Sequence, residues 1–123
     1  MISFDRFRME DGSPIYLQII RYIKREIIAG RILHGDDLPS RRVLSALLGV
    51  NPNTVQKAYR MLEEEGLIQS HSGAKSYVVV DEEKVAQIRT ELVEPDAQNA
   101  VRTLKQMGVT REEALALIVK YWE

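Results

Sequence analysis

Residues 38–66 read LPSRRVLSALLGVNPNTVQKAYRMLEEEG. This stretch decides the fold. Ser40 is a preferred N-cap, and the run behind it predicts a short helix ending near Leu48, with Val43, Leu44, Leu47 and Leu48 on its buried face. Gly49 permits a sharp turn, and Val50 plugs the junction. Asn51-Pro52 opens a second helix, since Asn caps well and Pro fits the first helical position. Val55, Ala58, Tyr59 and Leu62 fall on one side of it. Asn53, Gln56, Lys57 and Arg60 fall on the other, at helical spacing. Glu63-Glu64-Glu65 carry it to Gly66, the stop. Two helices around a tight turn, the second apolar on one side and rich in hydrogen-bonding groups on the other, form the pattern of a helix-turn-helix.

Working outward, residues 1–13 read as an extended arm with a short apolar alternation at Ile2–Phe4. Ser13 can cap a helix that Pro14 begins. That helix runs to about Ala29, with Tyr16, Ile19, Ile20, Ile23 and Ile27 on one face, Gln18, Arg21 and Arg25 opposite, and Gly30 as its stop. Arg31 to Pro39 reads as a loop. His34-Gly35-Asp36-Asp37 within it has no metal-ligand spacing of a known kind, and a polar turn held by aspartate–backbone hydrogen bonds is the better reading. Leu67–Ser70 and Ser76–Val80 read as strands of a hairpin joined by His71-Ser72-Gly73-Ala74-Lys75. The expected fold is therefore mainly α with a small β-hairpin wing: a winged helix-turn-helix over residues 1–80, followed by a helical tail over 81–123.

The tail carries apolar residues at helical spacing. Val85, Ile88 and Leu92 come first, then Ala97, Ala100, Val101, Leu104 and Met107. Pro95 either starts a new helix or kinks a continuous one. Thr110-Arg111-Glu112-Glu113 forms a capping box ahead of Leu115, Ile118 and Trp122, with Leu117 and Tyr121 beside them. About forty residues seldom bury a core of their own. Such apolar groups must cover the first domain or meet the same tail of a second chain, and a symmetric dimer is the commonest solution. Leu92, Val101, Leu104, Leu115, Ile118, Tyr121 and Trp122 are the expected dimerisation residues. Tyr121 and Trp122 have a second role open to them, as the lining of a cleft for an unidentified small-molecule effector; an aromatic at helical spacing is more often core.

Bulk composition bounds the function. The chain has 123 residues, no cysteine and a net charge of −1. Disulfides, thiolate metal sites and cysteine nucleophiles are excluded. No apolar run spans a membrane, and the acidic start MISFDRFRMEDG lacks a signal-peptide core, so a cytoplasmic location is the simplest expectation. The charge is uneven: residues 1–80 carry a net +2 and residues 81–123 a net −3. His34 and His71 stand alone. No nucleophile, base and orienting group form a constellation, and no cofactor or metal is implied, so an enzyme is not expected.

The stretch PSRRVLSALLGVNPNTVQKAYRMLEEEGLI resembles the winged-helix domain of GntR-family transcription regulators. Pro39, Ser40, Arg42, Leu44, Val50, Thr54, Val55, Ala58, Leu62 and Gly66 match that family's pattern in order and spacing. PIYLQI, Pro14 to Ile19, resembles its first helix. The short helical tail is similar to the YtrA-type branch. The resemblance implies a homodimeric DNA-binding regulator, and kinship implies repression. Two departures stand out. Asn51-Pro52 replaces the usual Ser-Arg ahead of the recognition-helix threonine. Gly73-Ala74-Lys75-Ser76-Tyr77 replaces a Gly-x-Gly-Thr-Phe wing tip, where Lys75 would be strained if positive φ were required of it.

On this reading the second helix of the motif lies in the major groove of double-stranded DNA. Asn53 and Gln56 suit adenine edges, and Lys57 and Arg60 suit guanine or phosphate. Arg41 and Arg42 grip phosphates, Ser40, Asn51 and Thr54 add contacts at the helix amino ends, and Gly73 and Lys75 belong to the wing. The alternative is a winged helix that binds protein and not DNA. An acidic or apolar surface around the second helix would favour it.

Overall fold

The computed structural model describes residues 1–71 and 75–123. Five helices and three short strands follow in the order α1 (Ile15–Ile28), β1 (Asp37–Leu38), α2 (Arg41–Leu48), α3 (Pro52–Glu64), β2 (Ile68–Ser70), β3 (Ser76–Val78), α4 (Glu82–Gln106) and α5 (Arg111–Tyr121). Contacts divide the chain into two compact units, Met1–Ile88 and Arg89–Glu123.

The first unit is a winged helix. α1 packs on α3, and α3 packs on α2 and β2. Ile19, Ile23, Leu44, Val55, Ala58, Leu62 and Val78 are fully shielded between them. Ser40 caps α2, its Oγ accepting from Val43 N–H at 3.1 Å. Gly49 ends α2 with φ +68°, a left-handed turn that a Cβ would strain. Asn51 Oδ1 accepts from Asn53 N–H at 2.8 Å, with Pro52 in the first turn of α3. These local signals were read correctly from the residues.

The N-terminal segment runs without helix or strand and packs against α1; three other expectations need correction. Ile2, Phe4 and Phe7 are buried, Phe4 stacks on Tyr22 with ring centroids 4.9 Å apart, and Phe7 meets Tyr22 edge-on at 5.5 Å. Gln18 fastens the same segment by accepting from Glu10 N–H and donating to the carbonyls of Glu10 and Ser13. Ser13 does not cap α1. Pro14 holds the N-cap position without a side-chain cap, and its carbonyl receives Leu17 N–H and Gln18 N–H. Val43 and Leu47 are exposed, at 52% and 65%, because α2 has only eight residues and packs chiefly against α3; its buried positions are Leu44 and Ser45. Finally, Arg31 to Pro39 is not wholly loop. Asp37 and Leu38 pair antiparallel with Tyr77 and Ser76, making a sheet in the order β1-β3-β2. Two residues are too few to show the alternation by which a strand is read. The polar turn before them is as expected, with Leu33 N–H donating to Asp36 Oδ2 at 2.8 Å. His34 Nδ1 accepts from Val80 N–H at 3.2 Å.

Among non-helical elements, β2 pairs with β3 in the register Ile68↔Val78, Gln69↔Tyr77 and Ser70↔Ser76. The pairing places Ile68 and Val78 on the core face, both essentially unexposed. α4 begins within the first unit. Asp81 Oδ1 accepts from Lys84 N–H, Ile88 is buried, and Lys84 Nζ donates to the carbonyl of Gly66 at 2.6 Å.

The second unit comprises the rest of α4, and α5. α4 is one continuous helix with Pro95 inside it, so the proline does not separate two helices. Thr110 caps α5, its Oγ1 accepting from Glu113 N–H at 3.2 Å. No residue of Arg89–Glu123 is classed as buried, although Val101, Met107, Leu115, Ile118, Val119, Tyr121 and Trp122 are large and apolar. Leu92 and Leu104 are half-buried.

The N-terminal segment is thus part of the domain core. Phe4→Ala should lower the unfolding free energy by about 3 kcal/mol, the usual scale for a buried phenylalanine. Urea denaturation measures this directly; an unchanged midpoint would mean the segment is a dispensable arm.

Candidate nucleic-acid interface

α3 is held by its apolar side. Val55, Ala58, Tyr59 and Leu62 face α1 and α2 and are buried. The Tyr59 hydroxyl donates to the carbonyl of Pro39 at 2.7 Å, tying the middle of α3 to the residue before the α2 cap. A tyrosine this enclosed is core, as expected, and not a base-stacking group. Burial pushes its hydroxyl well above the ordinary value near 10, while the Arg41 guanidinium opposes the shift.

The opposite side of α3 presents Asn53, Gln56, Lys57 and Arg60, all exposed. Asn53, Gln56 and Arg60 are brought together on one face with Lys57 beside them. Lys57 is not free-swinging. Its Nζ lies 4.1 Å from the ring centroid of Tyr16 on α1, a cation–π contact. Arg60 Nε lies 3.8 Å from Glu64 Oε1, but both side chains are mostly exposed and such a pair contributes little.

The two arginines of α2 differ. Arg42 is exposed. Arg41 is half-buried, its guanidinium 5.7 Å from the Tyr59 ring centroid, and its Nε is shielded from solvent with no hydrogen-bond partner among the described residues. Ser40 and Asn51 use an oxygen lone pair each on capping, which leaves the Ser40 hydroxyl proton and the Asn51 amide free to donate outward. Thr54 is half-buried in the first turn of α3.

At the wing, Lys75 is exposed, and among the described residues no non-glycine has positive φ. Lys75 therefore carries no left-handed strain, so this wing does not need a second glycine at that position. Gly73 lies outside the described residues. Three wing groups were missed in the sequence. His71 stacks on Tyr77 with ring centroids 4.5 Å apart and planes 21° from parallel, and the Tyr77 hydroxyl donates to Gln69 Oε1 at 2.8 Å. The usable signal was register: with Ile68 and Val78 paired inward, Gln69 and Tyr77 must oppose each other on the outer face. Tyr16 was assigned to the core face, and its half-buried position under Lys57 adds a role that helical spacing alone did not show.

The acidic residues cluster at the far end of α3 and its C-cap, where Glu64 is mostly exposed and the other two are bonded. Glu65 Oε1 takes the buried Lys24 ammonium at 3.0 Å, and Glu63 Oε2 accepts from Ser70 Oγ at 3.2 Å. The α3 face bearing Asn53, Gln56, Lys57 and Arg60 is polar and carries two cationic side chains, while the exposed apolar Val43 and Leu47 lie on α2.

This arrangement is that of a known family. The model of bacterial regulatory proteins of the gntR family matches residues 15–78, from the start of α1 to the end of β3. The chain belongs to the GntR family. Its members and relatives are transcription regulators rather than enzymes. The HTH-type transcriptional repressor YtrA of Bacillus subtilis is 39% identical over 78% of this chain and 69% of its own length. This GntR protein is also similar to a GntR-family transcriptional regulator from Listeria monocytogenes, 34% identical over 91% of this chain and 98% of that one, with a TM-score of 0.78. The AraR DNA-binding domain, solved in complex with operator ORX1, is 30% identical over 58% of this chain and 87% of that one, with a TM-score of 0.52. The likeness to YtrA supports placement in the YtrA-type branch.

Tyr59 makes an alkaline test of how α3 is anchored. Its folded pKa is raised, so above pH 10 the unfolded chain releases this proton first. The stabilisation is fully present below pH 10 and declines as pH rises towards the folded value. Urea midpoints between pH 9 and 11 should fall less steeply for Tyr59→Phe than for the parent. The variant should also be about 1 kcal/mol less stable at pH 7 through loss of the Pro39 hydrogen bond.

Proposed function

We propose that this protein is a sequence-specific transcriptional repressor that binds an inverted-repeat operator as a homodimer. The observation that carries the reading is the exposed face of α3. Asn53, Gln56, Lys57 and Arg60 stand outward on a helix whose other side is locked in the core. Asn53 and Gln56 pair with adenine edges, and Lys57 and Arg60 with guanine or backbone phosphate. Arg42 contacts a phosphate directly. Arg41, held against Tyr59, reaches one from the flank, with Ser40, Asn51 and Thr54 donating at the helix amino ends. Lys75 and Gly73 follow the backbone beside the recognition groove. The polar and basic character of this face weighs against a winged helix that binds only protein.

Dimerisation is proposed through the second unit. Leu92, Val101, Leu104, Leu115, Ile118, Tyr121 and Trp122 lie in a segment with no buried residue of its own. Apolar groups in that number mark an association surface. A twofold pair would present two α3 helices to half-sites about one helical turn apart. Repression follows where the operator overlaps a promoter, as the similarity to YtrA, named a repressor, supports. An effector at Tyr121 and Trp122 remains the alternative use of the exposed aromatics. The reading places the protein in the cytoplasm, with its DNA; no described helix is long and apolar enough to cross a membrane.

Two experiments test these points. Arg42→Glu with Lys57→Glu should abolish specific binding to the DNA upstream of the protein's own gene while circular dichroism stays unchanged. Unaltered affinity and salt dependence would overturn the docking geometry. Leu115→Glu with Ile118→Glu should shift sedimentation from dimer to monomer and weaken operator binding at least tenfold; a variant that stays dimeric removes α5 from the interface.

A further inference from the structure

The N-terminal segment and α1 enclose a cleft of about 280 Å³. Phe7 and Tyr22 contribute aromatic surface to it. Arg6, Arg8, Arg21 and Arg25 also line it, against a single carboxylate, Glu10. We propose that this cleft binds a small phosphorylated ligand, a phosphate monoester gripped by Arg6, Arg8 and Arg21.

Several features make the cleft more than a scatter of surface charges. Its walls are fixed. Gln18 bonds to the backbone of Glu10 on both sides and to Ser13, and the edge-on contact of Phe7 with Tyr22 holds the segment to α1. Arg8 is positioned by neutral groups, its Nη1 donating at 2.9 Å to the carbonyls of Asp5 and of Phe7. Carbonyls orient a guanidinium without cancelling its charge. Arg21 likewise donates to the Ser13 hydroxyl, at 3.4 Å, its one hydrogen bond among the described residues. Elsewhere Arg31 pairs with Glu26 and Arg60 with Glu64. Among the described residues Arg6, Arg8 and Arg21 form no such ion pair. All three side chains are exposed, so an anion can reach them from solvent.

The chemistry selects the ligand class. A guanidinium offers planar paired donors that fit phosphate oxygens. Three arginines match the three terminal oxygens of a monoester, whose charge approaches −2 near neutral pH. The volume is at the lower end for small-molecule sites, which suits a compact phosphorylated molecule. None of the α3 residues proposed to contact the groove lines the cleft. Gln18, Arg21 and Arg25 occupy the side of α1 opposite Ile19, Ile23 and Ile27, the residues that pack into the core.

The test is calorimetric titration of the full chain with inorganic phosphate and with ribose 5-phosphate, at constant ionic strength in chloride. Saturable binding that weakens at least tenfold in Arg8→Gln with Arg21→Gln is expected. Circular dichroism and the affinity for a duplex in phosphate-free buffer should be unchanged in that variant. Absence of saturation, or equal binding by parent and variant, overturns the proposal. So does a variant that loses duplex binding while the parent shows no saturation, since the arginines would then serve the DNA backbone. The titration involves no DNA, so its outcome is independent of how α3 recognises an operator.

Discussion

One buried hydroxyl orders the DNA-reading half of this molecule. Tyr59 sits midway along α3 with almost no exposed surface, and its only polar atom donates to the carbonyl of Pro39. That bond spans twenty residues and closes a loop containing all of α2, the turn at Gly49 and the cap at Asn51. The distance between the start of α2 and the centre of α3 is set by a ring and a hydrogen bond, not by the turn alone. Ala58 next to it lets the helix approach its neighbours closely, and Arg41 lies across the ring's face. Removing the hydroxyl would leave a carbonyl without its partner beside the helix that carries the reading side chains.

Local chemistry was legible in the sequence at most positions where a residue acts on its own neighbours, Ser13 being the exception. Ser40, Asn51-Pro52, Gly49 and Thr110 signal caps and turns through bonds two to four residues long, and each acts as its type suggests. The buried side of α3 was equally legible, because four apolar residues recur at helical spacing across thirteen residues. α2 offers eight, and with so few turns the apolar Val43 and Leu47 look like core when they are surface. The family pattern carried the helix-turn-helix from Pro39 to Gly66, and the strand-like runs on either side of residues 71–75 carried the wing.

What was illegible depends on distant partners. The burial of Phe4 and Phe7 in an extended segment shows only once the Tyr22 ring, which both of them meet, is in place. Asp37 and Leu38 become a strand only because Tyr77 and Ser76 come alongside. The contact of Lys57 with Tyr16 crosses forty-one positions, and no periodicity connects them. A buried Lys24 reads as an anomaly until Glu65 arrives from the far end of α3. In the candidate interface, the identity of the outward side chains was readable, and their degree of freedom was not.

That last point bears on Lys57. A lysine on a bare helix surface samples many rotamers and surrenders that freedom when it meets a base or phosphate. Here the Tyr16 ring already narrows the choice, so part of the ordering has happened before any encounter. The ring also acts as a competitor: an acceptor in the groove must attract the ammonium more strongly than the aromatic face does. In the proposed docking, a lysine so placed would discriminate between weak and strong acceptors more sharply than a freely solvated one. Because Tyr16 belongs to α1, whose Gln18 also bonds to the backbone of Glu10 and Ser13, the freedom of a side chain on α3 is linked through two packed helices to the segment ahead of α1.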